Sequence, residues 1–555
     1  MRRAGAAVLG PKGQAGVAAL LAAALWLAAV AAQGFHFSPD SMSYASLARG
    51  LTSLHPFTSG ILWPSAQPDR LQAIWPPLYP AMIAAVHAFG IPVQWSEFVI
   101  SGATFSAAAA FGVLVVRLAC GDCPWFAVPV IAGFPAGLYV AGFGWSEPVC
   151  LALLGAHYWM VLQAVRTGAS GRSVPSGLLF GQALLAGLAY LDRYAAAPFL
   201  VTALLLPAAL AVKAGHQRRR RALVGTVAAA LGAALPVLPW TIAALAVTGH
   251  VGTPYLRVGA GIHGALGMTL HAVLHAVAHT LAPGAQTHTA RAAAVTLLAC
   301  TVCVALAILL ERLRALPRGP APGTDRLTPR WLLAILALDV ALYTGVLVYA
   351  RSRYFFDNIG IRLMAPALYP ALLGLVVLIA LAPQRLMREA VALPIGVLIL
   401  WHGAHAAAAG LRGPEIASSL SGPWCTGGTN GDCSLLAWVQ RNTTAADLIV
   451  GNASFTINFA TGRSTEVVAA YPYTPLVTST ELRRWSQAWL SVHPGGEVLI
   501  VLDADTGPIV APGQPYGPLM DRLWRTHARA DLGDGEQVVP VTSGPAYRVD
   551  VVSTN

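Results

Sequence analysis

The chain has 555 residues, of which 56% are hydrophobic and 11% are charged, whereas an ordinary soluble protein is about 25% charged. Up to residue 410 it carries 26 Lys and Arg against 11 Asp and Glu, and the rest carries 9 against 13. The positive excess therefore belongs to the apolar part, which excludes a nucleic-acid-binding domain with a basic face. The composition also excludes collagenous, disordered and disulfide-scaffold proteins. It predicts a polytopic α-helical membrane protein with one extramembrane domain.

Apolar runs of the roughly 20 residues that a bilayer-spanning helix needs predict about eleven transmembrane helices. They lie at about 14–33, 96–118, 125–145, 147–165, 176–192, 195–213, 222–247, 292–311, 331–350, 363–382 and 391–410. We therefore predict a transmembrane body over residues 1–410. A shorter apolar stretch at 81–89 is interpreted as a helix at the membrane interface, inside a first external loop of residues 34–95. After residue 410, β-rich and helical runs alternate, which predicts a soluble α/β domain over residues 411–555.

The distribution of Lys and Arg predicts the orientation, because these residues concentrate on the cytoplasmic side. With the N-terminus inside, that side receives most of the basic residues of the body, including the run Arg218–Arg221. The chain is then a multi-pass protein of the plasma or inner membrane, with a cytoplasmic N-terminus and an extracytoplasmic C-terminal domain. Cys425 and Cys433 in that domain are a candidate disulfide.

Asp40 and Glu147 are two of the few acidic residues of the body, and both fall on the predicted outer side. Ser38-Pro39-Asp40 has the features of a helix start, and predicts a helix through Tyr44 to Arg49. Asp40 either interacts with the dipole of this helix or takes part in chemistry. Glu147 either begins a helix or faces a wet cavity between two apolar runs. Asp339, near the middle of its span, is predicted to make a structural hydrogen bond inside the bundle, with a role in a proton relay as the alternative.

Arginines on the same predicted side lie next to the spans. Arg193 lies in a tight turn, and Arg353 and Arg362 lie in the short segment before the span at 363–382. Guanidinium groups match phosphate oxygens, so this cluster predicts an anionic partner. Salt bridges to Asp192 and Asp357, or contacts with ordinary lipid headgroups, are the alternative interpretation.

Several motifs together resemble the GT-C glycosyltransferases, which are integral-membrane enzymes that use polyprenyl- or dolichyl-phosphate sugars. The first-loop motifs are Phe37-Ser-Pro-Asp40-Ser-Met-Ser-Tyr44-Ala-Ser-Leu-Ala-Arg-Gly50 and Trp75-Pro-Pro-Leu-Tyr-Pro80. Trp145-Ser-Glu-Pro148, Gly187-Leu-Ala-Tyr-Leu-Asp-Arg-Tyr194, Arg362-Leu-Met-Ala-Pro366 and Trp438-Val-Gln-Arg-Asn-Thr443 resemble segments of bacterial members, the protein O-mannosyltransferase and lipid A aminoarabinose transferase group. Many members carry a second acid directly after the first, whereas here Ser41 follows Asp40.

The resemblance implies a GT-C-like fold and a residue for each step of glycosyl transfer. Asp40 is then the catalytic base, and Glu147 the second acidic position, which orients the acceptor or binds a divalent ion such as Mg²⁺ or Mn²⁺ together with Asp40. Arg193, Arg353, Arg362 and Tyr44 would bind the lipid phosphate. The implied reaction transfers a hexose or pentose, with inversion, from a polyprenyl-phosphate donor to a hydroxyl of a glycan, lipid or protein outside the cytoplasm.

Two other function classes remain open at this stage. A membrane transporter or lipid flippase would line its path with Asp339 and the outer arginines, but it has no evident use for a large first loop and a globular tail. A non-catalytic scaffold that anchors the tail leaves Asp40, Glu147 and the arginines unexplained. We expect the glycosyltransferase, with the bilayer and the lipid-linked sugar as partners and no nucleic acid.

Overall fold

The computed structural model of the chain divides into two compact units. It describes residues 10–53, 58–59, 61–62, 73–170, 172–212, 219–249, 251, 261–281, 327–353, 359–381, 434–467, 478–503, 510–511, 514–515, 523, 530–533, 536–543 and 547–554. The first unit draws on Met1–His36, Glu97–Ala243 and Gly259–Ser419, and the second on Phe37–Ser96, Ala244–Val258 and Leu420–Asn555. The predicted spans at 292–311 and 391–410, and Cys425, Cys433 and Asp357, lie outside the described residues.

Long apolar helices make up most of the first unit. These helices are α1 (Pro11–Gln33), α4 (Val93–Cys120), α5 (Ala127–Ala132), α6 (Pro135–Ala141), α7 (Glu147–Ala169), α8 (Ser176–Asp192), α9 (Ala197–Val212), α10 (Arg219–Thr248), α11 (Gly261–Leu281), α12 (Leu327–Arg353) and α13 (Ile361–Ala380). Among the described residues, six helices are long and apolar enough to cross a membrane, and the segments 127–141, 176–192 and 194–210 are shorter apolar helices. The chain is thus a multi-pass membrane protein.

The predicted span at 125–145 is two short helices, α5 and α6, and not one continuous helix. Proline has no backbone N–H to donate and pushes the preceding residue out of the helical region. Phe134, directly before Pro135, has φ −49° and ψ 108°, and α5 ends at Ala132 with Gly133 as its C-cap. The break is therefore encoded at Pro135, although the apolar run continues through it.

Side-chain hydrogen bonds to backbone and to other side chains link the helices of the first unit. The indole of Trp26 on α1 donates to the Ala141 carbonyl at 2.7 Å, and the Tyr369 hydroxyl on α13 donates to the Ala108 carbonyl at 2.7 Å. The Tyr158 hydroxyl on α7 donates to Asp339 on α12 at 2.9 Å. This last bond confirms the predicted structural role of Asp339, since a carboxylate inside an apolar bundle is stable only with a partner.

Glycines allow α8 and α10 to approach closely, as small residues do at helix interfaces in membranes. A Cβ added at Gly232 on α10 would lie 2.3 Å from the Phe180 carbonyl oxygen of α8. A Cβ at Gly187 on α8 would lie 3.1 Å from the Ala233 carbonyl oxygen of α10. Backbone atoms form both contacts, so neither helix can yield by a side-chain rotation.

The second unit combines helices and a seven-stranded mixed sheet, counted over the described residues. Its helices, besides the first residues of α4 and the last of α10, are α2 (Pro39–Thr52), α3 (Leu78–His87), α14 (Ser434–Asn442), α15 (Ser454–Thr461) and α16 (Ser479–Val492). The strands of the sheet are β1 (Ile61–Leu62), β2 (Leu448–Gly451), β3 (Ser464–Val467), β4 (Val498–Asp503), β7 (Ala530–Gly533), β8 (Glu536–Ser543) and β9 (Tyr547–Thr554). A separate two-stranded pair joins β5 (Val510–Ala511) to β6 (Gln514–Pro515).

The order of the strands is β1-β3-β2-β4-β9-β8-β7. The first four strands are parallel and the last three join antiparallel. Leu482 and Trp489 of α16 pack on one face of the sheet, and Leu435 of α14 and Ile457 of α15 pack on the other. The α/β character predicted after residue 410 is confirmed, but β1 comes from the first loop, about 400 residues earlier in the chain.

We predict that Gly232→Ala lowers the thermal stability of the detergent-solubilised protein, because its methyl group would collide with the α8 backbone. The expected cost is about 1–3 kcal/mol. The matched control is Gly345→Ala on α12, where no heavy atom of the described residues lies within 4 Å of an added Cβ. The measurement is the temperature at which the monodisperse gel-filtration peak is lost. Equal temperatures for the two variants would contradict the close approach of α8 and α10.

Candidate active site

Asp40 lies in the first turn of α2, in the second unit, as the sequence predicts. The Ser38 hydroxyl accepts a hydrogen bond from the Ser41 backbone N–H at 3.4 Å, and the Ser41 hydroxyl accepts one from the Ser38 backbone N–H at 3.1 Å. These two bonds form a capping box. Ser41, the residue directly after Asp40, is buried and completes the cap of the helix that carries Asp40. Asp40 itself is partly exposed.

Tyr44 lies one turn after Asp40 and is buried by aromatic residues of the same unit. Its ring centroid is 5.3 Å from that of Trp75 and 5.1 Å from that of Tyr79, both in edge-to-face geometry. Such pairs contribute about 0.5–1.5 kcal/mol beyond the buried area. The Trp75-Pro-Pro-Leu-Tyr79 motif and α3 therefore hold the first turns of α2 in place, and the role of Tyr44 in phosphate binding stays a prediction.

Glu147 lies in the first unit, in the first turn of α7, and its side chain is fully buried. The Nε of Arg362 donates to Oε1 of Glu147 at 2.7 Å, and Nη1 of Arg193 forms an ion pair with the same oxygen. The two arginines come from α13 and from the residue directly after α8. Glu147, Arg193 and Arg362, which the sequence predicts as site residues, are thus brought together, and we call them the arginine cluster.

The helix dipoles favour the charges of Glu147 and Arg193 but oppose that of Arg362, which lies in the first turn of α13. Glu147 lies at the positive N-terminal end of α7, whereas Arg193 lies at the negative C-terminal end of α8. A single buried charge would cost several kcal/mol, which a hydrogen-bonded pairing offsets. Two guanidinium groups face one carboxylate, so these three side chains alone carry a formal charge of +1. Asp192, the residue before Arg193, is also fully buried, and its carboxyl group interacts electrostatically with Arg193 and Glu147.

Trp145 also belongs to the site, although the sequence predicts no role for it. The guanidinium carbon of Arg362 lies 4.4 Å from the Trp145 ring centroid, and the Phe143 ring stacks on Trp145 with centroids 4.0 Å apart and planes inclined by 6°. Arg362 is therefore held by a carboxylate and by an aromatic face. The aromatic residues of the Gly-Phe-Gly-Trp run, which ends two residues before Glu147, were the sequence feature that could have predicted this role.

The remaining predicted site residues lie in different surroundings. Arg353 lies in the last turn of α12 with an exposed side chain, and the ion pairs that Glu147 makes are with Arg193 and Arg362. Arg351, one half-turn earlier, is buried. Phosphate binding by Arg353 stays a prediction, as does the disulfide between Cys425 and Cys433.

The residues around Glu147 fit a divalent ion poorly. Two guanidinium groups contact one oxygen of its carboxylate, and a cation brought there would be repelled by both. Within the described ranges, no group of three or more His, Cys, Asp or Glu side chains is placed to hold a metal ion. We therefore derive no chemical step through a metal at Glu147, and a divalent ion at Asp40 stays a prediction.

We predict that Glu147→Gln lowers the free energy of unfolding, because it leaves two buried guanidinium groups without their counter-ion. The expected loss is about 3–5 kcal/mol. Combining it with Arg362→Gln should cost less than the sum of the single changes, with a coupling of about 1–3 kcal/mol. Tryptophan fluorescence during denaturant unfolding in detergent measures all three variants. Arg172→Gln, at an exposed arginine, is the control, and strict additivity of the two changes would contradict the pairing.

Comparisons with known proteins support the fold. No protein-family model matches the chain, and no curated protein matches it in sequence. The structure of ArnT from Cupriavidus metallidurans bound to undecaprenyl phosphate is similar over 96% of this chain and 97% of that one, with a TM-score of 0.53 and 13% identity. Arabinofuranosyltransferase AftD from Mycobacteria is similar over 97% of this chain but 41% of its own, with a TM-score of 0.54 and 16% identity. At such identities the likeness concerns the fold alone, and this chain has the fold of the GT-C membrane glycosyltransferases.

Proposed function

We propose that the protein is a membrane glycosyltransferase that takes a sugar from a polyprenyl-phosphate donor and transfers it to an acceptor hydroxyl. The observation that supports this most is the arginine cluster, in which Glu147 and Trp145 hold two guanidinium groups in a mostly buried position. Charged side chains inside a membrane protein usually have a function, because each dehydrated charge lowers stability. A lipid-linked phosphate is the anion that reaches a site inside a membrane bundle most directly.

The arginine cluster would act on the leaving group. As the bond between the anomeric carbon and the phosphate oxygen breaks, negative charge builds up on the departing lipid phosphate. Donors that are already oriented stabilise that charge without reorganising. Glu147 then serves as the positioning residue that orients Arg193 and Arg362, whose two guanidinium groups would face the phosphate.

Asp40 would act on the acceptor. A hydroxyl is a weak nucleophile until a carboxylate within hydrogen-bond reach takes its proton. In the proposed reaction the acceptor oxygen attacks the anomeric carbon, its proton passes to Asp40, and the lipid phosphate leaves as an anion. A single displacement of this kind inverts the anomeric centre and needs no general acid.

The orientation of the chain is part of the proposal. With a cytoplasmic N-terminus, the loop that carries Asp40 and the C-terminal domain both lie outside the cytoplasm, where the acceptor would be presented. The distribution of basic residues supports this direction. The sugar is a hexose or pentose, and the acceptor a glycan, a lipid or a protein.

We predict that Asp40→Asn lowers turnover by a factor of about 10² to 10⁴, because the acceptor then lacks its base. Turnover is measured as undecaprenyl phosphate released from a panel of undecaprenyl-phosphate hexoses and pentoses, with a cell-envelope extract as acceptor. Mass spectrometry of envelope glycans, with and without the gene, selects the relevant product.

The matched control for Asp40→Asn is Glu481→Gln. Glu481 is a carboxylate in the first turn of α16, inside a capping box like that of α2. Losing its charge should cost about 0.3–1 kcal/mol of stability and leave turnover unchanged. Full turnover by Asp40→Asn would refute Asp40 as the base. If the protein moved lipid-linked sugar across the membrane of reconstituted vesicles without transferring the sugar to an acceptor, the transporter or flippase would be favoured instead.

We predict that Arg362→Lys weakens the binding of undecaprenyl phosphate by about 10- to 100-fold, since a charge-assisted hydrogen bond is worth roughly 1.5–3 kcal/mol. Lysine keeps the charge but loses the planar group that lies on Trp145 and contacts Glu147. Arg353→Lys, at an exposed side chain, should change binding by less than about fivefold. Native mass spectrometry with undecaprenyl phosphate in detergent measures the binding of both variants. A larger loss of binding for Arg353→Lys than for Arg362→Lys would show that Arg353, and not Arg362, contacts the phosphate.

A further inference from the structure

Arg49, in the last turn of α2, connects this helix to the C-terminal domain inside the second unit. Its Nη1 donates to the Asn458 carbonyl at 3.1 Å and its Nη2 to the Phe459 carbonyl at 2.8 Å. Both carbonyls lie in the last turn of α15, where the helix dipole favours a cation, and the Asn458 carbonyl also accepts the Gly462 backbone N–H at 2.7 Å. The guanidinium carbon also lies 5.8 Å from the Phe459 ring centroid. One side chain thus bonds the end of one helix to the end of another.

Phe37 makes a second contact with the same residue of α15. Its ring centroid lies 5.0 Å from that of Phe459. Phe37 directly precedes the capping residue Ser38, and Arg49 follows Asp40 by nine positions. Phe459 therefore contacts residues on both sides of Asp40 along the chain, which restrains the tilt of α2 as well as its position.

The sheet provides a third connection between the first loop and this domain. Strand β1 pairs in parallel with β3, with Ile61 opposite Thr465 and Leu62 opposite Glu466. The Ser59 hydroxyl, two residues before Ile61, donates to the Ser46 hydroxyl of α2 at 3.0 Å. Leu62 is part of the hydrophobic core under α16. The first loop is therefore a structural part of the C-terminal domain.

We propose that Arg49 and Phe459 are positioning residues through which the C-terminal domain orients the Asp40 carboxylate. This inference rests on the proposed function, in which Asp40 is the base. A base works only within hydrogen-bond reach of the proton, and a displacement of about 1 Å costs about 10²-fold in rate. Because α2 is a helix with both ends held, a change at Arg49 is transmitted to Asp40 as a tilt of the whole helix.

The test compares Arg49→Ala with Arg463→Ala in the full-length protein. Arg463 donates to the Thr443 carbonyl at 2.6 Å and to the Thr443 hydroxyl at 3.1 Å, directly after α14, so it makes the same type of bond in the same domain but on a different helix. We expect Arg49→Ala to lower kcat by about 10- to 100-fold, with KM for the lipid donor changed less than about threefold. Arg463→Ala should keep kcat, and Arg49→Lys should recover part of it.

Thermal unfolding of each variant separates positioning from simple destabilisation. If Arg49→Ala and Arg463→Ala lose stability and kcat in parallel, or if Arg49→Ala keeps full kcat, the inference is overturned. Should Arg49→Ala fail to fold, Phe459→Leu replaces it, because leucine keeps the apolar contact and removes the ring beneath Arg49 and beside Phe37. A normal kcat for that variant would also overturn the inference.

The kcat of Asp40→Asn, measured in the same experiment, distinguishes a failure of the proposed function from a failure of the positioning role of Arg49. An active Asp40→Asn refutes the proposed base and with it the basis of this inference. An inactive Asp40→Asn together with an unchanged Arg49→Ala leaves the glycosyltransferase proposal intact and removes only the positioning role of the C-terminal domain.

Discussion

A carboxylate that is fully buried between two guanidinium groups organises the first unit around Glu147. In an apolar bundle none of these three charges is tolerated alone, so the helices that carry them must meet in one arrangement. α7, α13 and the end of α8 are fixed relative to one another by this requirement. The stacked Phe143 and Trp145 rings extend it by fixing the plane of Arg362. The same interaction thus orders the fold and brings two guanidinium groups to one place.

The second unit holds a different kind of element in place, the polar helix α2. Three of the seven buried residues of α2 are serines, so contacts with neighbouring residues must satisfy polar groups as well as bury apolar ones. Its start is fixed by the capping box, its middle by the aromatic contacts of Tyr44, and its end by the hydrogen bonds of Arg49 to carbonyls of α15. A helix restrained at three points would suit the base proposed above better than a free loop, because less conformational entropy is lost when the reacting atoms align.

Local signals in the sequence predicted the local structure well. Ser38-Pro39-Asp40 predicted the start of α2, because capping and the N1 proline act within one turn. Contacts between distant residues could not be predicted from local signals. Arg362 and Glu147 are 215 positions apart, and nothing in either segment specifies their pairing. Pro135 could have predicted the break between α5 and α6, but the apolar run continues through it and predicts one helix. The two-residue strand β1 is too short to carry an alternating pattern.

The pairing of Ile61 with Thr465 also constrains how the protein is made. A ribosome adding about 5–20 residues per second reaches the partner strand roughly 20–80 seconds after it has finished the first loop. Throughout that interval the loop stays outside a completed sheet while the later helices enter the membrane. Pairing between such distant segments is slow because the closure entropy must be met first. The helix that carries Asp40 is therefore among the first segments synthesised and among the last to reach its native surroundings.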